Sequence, residues 1–223
     1  MTPYFETELG KLYHGDCLEI MPELEPVDFI LADPPYGMKN NVDSSRFSGG
    51  TAGHIAKRGN GGRFKKNITG DDKPFDPVHL LKFKKVILWG ANHFSEKLPV
   101  GTTLVWIKKQ DSGFGSFLSD AEIGWMNTGH GVYCFRDLSL LSTTRDRLHP
   151  NQKPMPLLMW CIEKAKTEGV ICDPYCGSGS TLIACEKLNR RWIGIEISEK
   201  YCEISAKRIE QETKQYKLPM VEV

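Results

Sequence analysis

Asp33-Pro34-Pro35-Tyr36, followed by Gly37, places a carboxylate, two prolines and an aromatic ring in four consecutive positions. Two prolines in a row remove two backbone donors and fix φ near −65° at both. The carbonyls of Asp33 and Pro34 are left as stiff, outward-pointing acceptors, with the ring of Tyr36 as a flat surface beside them. Such a corner suits a planar amino group, which has hydrogens to donate and a π-face to stack. Asp, Pro and Gly also favour plain turns for local reasons, so the same residues read as a strand ending when taken alone. The apolar run Val27-Asp28-Phe29-Ile30-Leu31-Ala32 predicts a buried strand that delivers the corner at its carboxyl end. That is where open α/β sheets put their chemistry.

A second cluster is Asp173-Pro174-Tyr175-Cys176-Gly177-Ser178-Gly179-Ser180-Thr181, between a predicted strand and a predicted helix. Gly177 and Gly179 permit a tight turn and let a ligand approach the backbone. The following helix points its free N–H groups at the same space. Glu196, at the end of the next strand, can hold two ribose hydroxyls. Strand, glycine turn, helix, strand and acid in this order point to an adenosine-containing ligand. NAD and S-adenosylmethionine both fit. The third glycine of the dinucleotide fingerprint is missing, because Leu182 stands in its place, which weakens a pyrophosphate reading.

Positioning these two clusters requires alternating elements. Short strands are predicted at 11–14, 27–32, 85–89, 102–107, 122–126, 132–135, 170–172 and 191–197. Helices are predicted at 17–24 (with Leu18, Met21 and Leu24 on one side), 76–83, 91–98, from Pro154 to about Lys166, 180–188 and 198–215. This alternation predicts an α/β fold with a mostly parallel sheet covered on both faces. At 223 residues the chain is long enough for one domain and short for two. The five tryptophans, Trp89, Trp106, Trp125, Trp160 and Trp192, read as core.

The stretch 38–74 breaks the rhythm. It lacks apolar periodicity and is dense in glycine. It carries eight cations (Lys39, Arg46, Lys57, Arg58, Arg63, Lys65, Lys66 and Lys73) against three anions (Asp43, Asp71 and Asp72), a local surplus of five on a chain whose net charge is +1. It reads either as a solvated flexible loop or as a basic flap that grips a phosphate backbone. Its start at the Asp33 corner favours the second. No apolar run approaches the ~18 residues of a membrane span, and the amino terminus lacks the regions of a signal peptide. Seven cysteines without a Cys-x-x-Cys pair and six histidines without ligand spacing predict buried thiols and no metal site.

Asp33-Pro34-Pro35-Tyr36, Asn151-Gln152-Lys153-Pro154, Asp173 to Thr181 and Glu196 together resemble the amino-methyltransferases that act on DNA bases. The catalytic strand precedes the cofactor turn, as in the circularly permuted β group and its compact phage-type adenine enzymes. The resemblance runs from about Leu12 to Ile209. It implies a Rossmann-like, S-adenosyl-L-methionine-dependent methyltransferase fold for the single domain 1–223. Asp33, Pro34, Pro35 and Tyr36 are then catalytic. Asp16, Asp173, Tyr175, Gly177, Gly179, Ser180, Glu196, Gln152 and Lys153 bind the cofactor, with Gln152 and Lys153 at its methionine end. Asp16 reads equally well as a helix N-cap. Three positions depart from the family pattern: Asn151 and Ser180 stand where threonine is common, and Tyr175 where phenylalanine is common.

The resemblance also implies a DNA substrate, a role in restriction–modification, a cytoplasmic location and a homodimer as one option. Asp at the first motif position resembles adenine-N6 enzymes, whereas Ser there suggests cytosine-N4. RNA adenine methylation and, at a further remove, NAD-dependent oxidoreduction are the alternatives. Target recognition is expected from 38–74 and from 108–148, with Lys57, Arg58, Arg63, Lys65, Lys66, Arg145 and Arg147 meeting nucleic acid.

Overall fold

The computed structural model describes residues 1–37, 72–115, 119–138 and 153–216. They fall into two compact units, Met1–Pro34 with Asp76–Val223, and Pro35–Phe75. The first unit is built on a nine-stranded sheet in the order β1-β2-β9-β8-β3-β4-β6-β5-β7. The strands are β1 (Phe5–Glu6), β2 (Gly10–His14), β3 (Phe29–Ala32), β4 (Lys85–Trp89), β5 (Thr102–Ile107), β6 (Ala121–Met126), β7 (Val132–Arg136), β8 (Ile171–Asp173) and β9 (Trp192–Glu196). The helices are α1 (Cys17–Ile20), α2 (Val78–Leu81), α3 (Met155–Ala165), α4 (Ser180–Lys187) and α5 (Glu199–Tyr216).

The predicted α/β class and mostly parallel sheet are observed. Strands β2, β9, β8, β3 and β4 run parallel, and β6 lies antiparallel between β4 and β5. Every residue of β3 and β9 is buried, as expected of strands covered on both faces. Phe29, Leu31, Ile87, Trp89 and Leu12 share one core with Leu157, Cys161 and Ile162 of α3, Leu182 and Ile183 of α4, and Cys202 and Ile209 of α5. Trp89, Trp106, Trp125 and Trp192 are buried and Trp160 packs against the same core. All seven cysteines are unpaired thiols, six of them buried. Among the described residues no helix is long and apolar enough to cross a membrane.

The helical expectations are corrected in three places. The 17–24 helix is one α-turn followed by a 3₁₀ turn at Met21–Glu23, where Pro22 enters; Cys17 and Ile20 are buried and Leu18 is exposed. The 76–83 helix shrinks to Val78–Leu81. The 91–98 helix is two 3₁₀ turns separated at Phe94 (φ −141°), whose buried ring leaves its backbone outside helical geometry.

The segment between β6 and β7 does not join paired neighbours, since β7 runs parallel to β5 on its far side. Asn127 instead ties the end of β6 to β4. Its Oδ1 accepts from the Val86 amide at 3.0 Å, and its Nδ2 donates to the Phe83 and Lys84 carbonyls. Within the 108–148 stretch, β6 and β7 thus belong to the sheet. In the second unit, Gly37 (φ 75°) lies so close to the Lys73 backbone that a Cβ there would meet its carbonyl oxygen at 2.1 Å.

Candidate active site

Four neighbouring parallel strands, β2, β9, β8 and β3, end on the same edge of the sheet. Each is followed there by an acid or ends in one: Asp16 two residues after β2, Glu196 at the end of β9, Asp173 at the end of β8 and Asp33 just after β3. Phe29 pairs with Ile171 and Ile30 with Cys172, so the proline corner and the glycine turn leave adjacent strands in register. From β8 the chain proceeds outward to β9, and from β3 outward to β4. The pair therefore marks the switch point at which open α/β sheets form their ligand crevice.

The glycine turn has the backbone its sequence requires. Gly177 and Gly179 lie at φ 53° and 79°, a region that penalises side chains, and Gly179 caps α4. Glu196 braces the turn: its Oε2 accepts from the Gly177 amide at 2.8 Å and its Oε1 from the Ser198 amide at 2.9 Å. Burial raises the Glu196 carboxyl, and these amides pull it back down. An ionised carboxylate offers about four acceptor positions, so these amides do not exhaust its capacity for hydroxyl donors. Asp173 is buried, which pushes its carboxyl up to about 7 despite hydrogen bonds from Thr181 and from the Tyr175 amide at 3.1 Å. Asp16 caps α1, its Oδ1 accepting from the Leu18 amide at 2.9 Å. The Gly15 amide before it bonds the Glu196 carbonyl at 3.0 Å, so Asp16 and Glu196 sit side by side.

Pro34 is buried behind Asp33, whereas Pro35 and Tyr36 open the second unit. Asp33 is an ion-pair partner of Lys153, whose Nζ lies 2.6 Å from Oδ2. Lys153, expected at the methionine end of a cofactor, is itself 7% exposed, and Glu122 stands 3.0 Å from it on the other side. Ser180 is buried at the first turn of α4. Gln152, Lys57, Arg58, Arg63, Lys65, Lys66, Arg145 and Arg147 lie outside the described residues.

The comparisons with known proteins agree with this geometry. A family model described as DNA methylase, of the N6/N4 type, matches residues 105–207. The chain is 27% identical over 264 residues to the type II methyltransferase M.BamHI of Bacillus amyloliquefaciens, covering 97% of this chain and 60% of that protein. It thus spans less than two thirds of that relative. It is 26% identical to the type II methyltransferase M2.DpnII of Streptococcus pneumoniae, covering 94% and 93% of the two chains. The chain is thus similar in sequence to DNA methyltransferases of the N6/N4 type. Its fold matches TTHA0409 of Thermus thermophilus, solved in complex with S-adenosyl-L-methionine (TM-score 0.56, 17% identity, 90% and 95% covered). It also matches the cytosine-N4-specific PvuII DNA methyltransferase (TM-score 0.57, 16% identity, 96% and 93% covered).

Several side chains at this methyltransferase-like edge escaped the sequence reading. From α5, the Ser205 hydroxyl donates to the Gly177 carbonyl at 2.8 Å, and Arg208 donates to the Ser178 carbonyl and to the hydroxyls of Ser178 and Ser180. The signal was present: Ser205 falls on the helical face of Cys202 and Ile209 and is fully buried, an unusual place for a hydroxyl without a task. The Tyr175 hydroxyl, the departure from phenylalanine, sits 2.9 Å from Nε2 of His79. Burial raises the Tyr175 hydroxyl and lowers the His79 imidazole. Glu122 and Lys108 had no local signal. Glu122 lies on β6 and Lys108 directly after β5, and only the sheet order brings these strands to the neighbourhood of β3 and β4.

Proposed function

We propose that the chain methylates DNA, using S-adenosyl-L-methionine as donor and the exocyclic N6 of adenine as acceptor. The observation that carries this reading is the adjacency of the Asp33 corner and the Gly177–Gly179 turn on in-register parallel strands. Relatives named as type II methyltransferases support it.

The residues present fit the donor. Two glycines at positive φ expose backbone to a ligand, and Glu196 offers acceptors for ribose hydroxyls beside Asp16. Tyr175 and Ser180 flank the turn, and Gln152 and Lys153 are assigned to the methionine end. When bound, S-adenosyl-L-methionine supplies an electrophilic methyl group on its sulfonium. The target base cannot react inside the duplex and is turned out of the stack. Tyr36 stacks on it, while the Asp33 carboxylate and the Pro34 carbonyl accept its amino hydrogens. These bonds draw the nitrogen lone pair out of conjugation with the ring. As the N–C bond forms and the C–S bond breaks, Asp33 stabilises the positive charge on nitrogen, and the amino group then loses one proton. Alignment of nucleophile and methyl supplies much of the rest. Lys57, Arg58, Arg63, Lys65, Lys66, Arg145 and Arg147 meet the phosphate backbone or base edges.

Cytosine-N4 methylation is the second reading, since a structural neighbour of comparable likeness is cytosine-N4-specific and the two amino groups share their chemistry. The test is mass spectrometry of nucleosides from unmethylated DNA incubated with the protein and labelled donor. N6-methyl-2′-deoxyadenosine is expected. N4-methyl-2′-deoxycytidine would move the assignment to the second reading, and methyl groups on RNA but not DNA would change the polymer. No transfer to either polymer would overturn the function.

A further inference from the structure

Glu122 belongs to no motif of the chain, yet it occupies the middle of a line of alternating charges that ends on Asp33. It stands on β6, the antiparallel strand beyond β4. Its Oε2 lies 3.0 Å from the Lys153 ammonium and its Oε1 2.9 Å from that of Lys108. Lys153 in turn lies 2.6 Å from Oδ2 of Asp33. Burial opposes the charged form of Glu122, but Lys153 and Lys108 outweigh it and hold its carboxyl down at about 2, so it is ionised throughout the neutral range.

This arrangement has a consequence for Asp33. A buried ammonium beside a single carboxylate gives a neutral pair, and a neutral pair is a poor stabiliser of positive charge developing nearby. A second carboxylate on the same ammonium changes the balance. Along the line Lys108–Glu122–Lys153–Asp33 the signs alternate, so Glu122 offsets part of the field that Lys153 exerts on Asp33, while Lys108 stands against the other oxygen of Glu122. Glu122 also gives Lys153 a second anchor, which limits how it can pivot about Asp33. Position 122 lies at register with Trp106 on β5, so the rigid β5–β6 ladder sets its place.

We infer that Glu122 is a positioning residue of the reaction: it shares the Lys153 ammonium with Asp33, so that Asp33 keeps its orientation and is less fully neutralised by Lys153. This rests on the methyltransferase reading and extends it to a residue on an element remote from both motifs. Glu122 acts through Lys153, touching neither donor nor base.

The test is a double-mutant cycle on the full chain, read as methyl transfer to DNA at saturating donor and DNA. Glu122→Gln is expected to lower kcat about tenfold while the KM for the donor changes less than threefold, and Glu122→Asp to recover part of the loss. In a Lys153→Gln background, Glu122→Gln is expected to change kcat less than twofold, because its route to Asp33 is already gone. Additive effects in the two backgrounds, or a loss confined to KM, would overturn the inference. A readout independent of turnover is the proton-exchange rate of the Lys153 ammonium, followed by 15N-lysine magnetic resonance and assigned with Lys153→Gln. Held between two carboxylates it exchanges slowly, and Glu122→Gln is expected to speed exchange at least fivefold at an unchanged melting temperature. Unchanged exchange would overturn the inference even in a chain that transfers no methyl group. An inactive wild type whose ammonium responds as expected would sink the functional reading alone.

Discussion

Lys153 donates to Oδ2 of Asp33 at 2.6 Å across 120 residues of chain, joining the loop before α3 to the end of β3. The ammonium is almost fully buried, so it is not a surface pair of negligible worth. Removing one partner of such a pair leaves the other charge uncompensated. The carboxylate proposed to meet the target amino group is therefore held by the protein before any substrate arrives.

Replacing Asp33 with Ala should abolish methyl transfer while leaving donor affinity within about threefold. Most of the donor is assigned to the β8–β9 side of the switch point, and Lys153, which pairs with Asp33 and is assigned to the methionine end, keeps Glu122 as a partner in the variant. Loss of a preorganised electrostatic group costs roughly 10²- to 10³-fold in kcat. Single-turnover transfer measured beside donor calorimetry checks this, and normal turnover by the variant would remove Asp33 from the mechanism.

The clamp from α5 predicts a different signature. Ser205 and Arg208 hold the carbonyls of Gly177 and Ser178 toward α5, which fixes the backbone path of the turn beside the proposed ligand space. Replacing Arg208 with Met, or Ser205 with Ala, should weaken donor binding about fivefold, some 1 kcal/mol. At saturating donor, kcat should change little. Equal donor affinity in wild type and both variants, by calorimetry, would show that the turn needs no clamp.

Asp173 predicts a pH dependence of stability. Burial sets its carboxyl near 7 in the folded chain, against the ordinary value of about 3.9 when unfolded. Between those values the folded state binds more protons than the unfolded one. The associated stability is therefore complete below about pH 4 and falls as pH rises through about 7, by on the order of a few kcal/mol. Thermal melts of the donor-free chain should show this decline between pH 5 and 8. Asp173→Asn should flatten it only in part, because the Glu196 carboxyl is raised as well and acts in the same direction. An identical slope in wild type and variant would contradict the assignment.

Gly194 marks where β9 meets α4. A Cβ there would lie 2.5 Å from Leu182 Cδ1 and 3.3 Å from the Cys176 thiol, so the fully buried Leu182 side chain would have to shift. Gly194→Ala should cost about 1–3 kcal/mol through overpacking. Chemical denaturation should report a lower midpoint at an unchanged slope. A midpoint equal to wild type would show that Leu182 can relocate.

Much of the site was legible because its chemistry is local. Asp33 to Tyr36, the turn from Asp173 to Ser180 and Glu196 each carry the proposed chemistry in adjacent residue types, and alternating apolar runs were enough to put them at strand ends. The helices that failed did so where burial of one ring, Phe94, or entry of one proline, Pro22, overrode a weak local pattern. The partnership of β7 with β5, in place of β6, was equally invisible, since strand order depends on contacts between segments far apart in the chain.

The amino-acid sequence by itself determined the α/β class, the proline corner, the glycine turn and the acid behind it, since backbone freedom and side-chain chemistry are properties of single residues and their neighbours. Only the tertiary structure decided that β3 and β8 lie side by side, that Ser205 and Arg208 brace the turn, and that Lys153 stands between Asp33 and Glu122. Charges that meet across three separate segments are fixed by the order and direction of strands in the sheet, and no local pattern encodes that order.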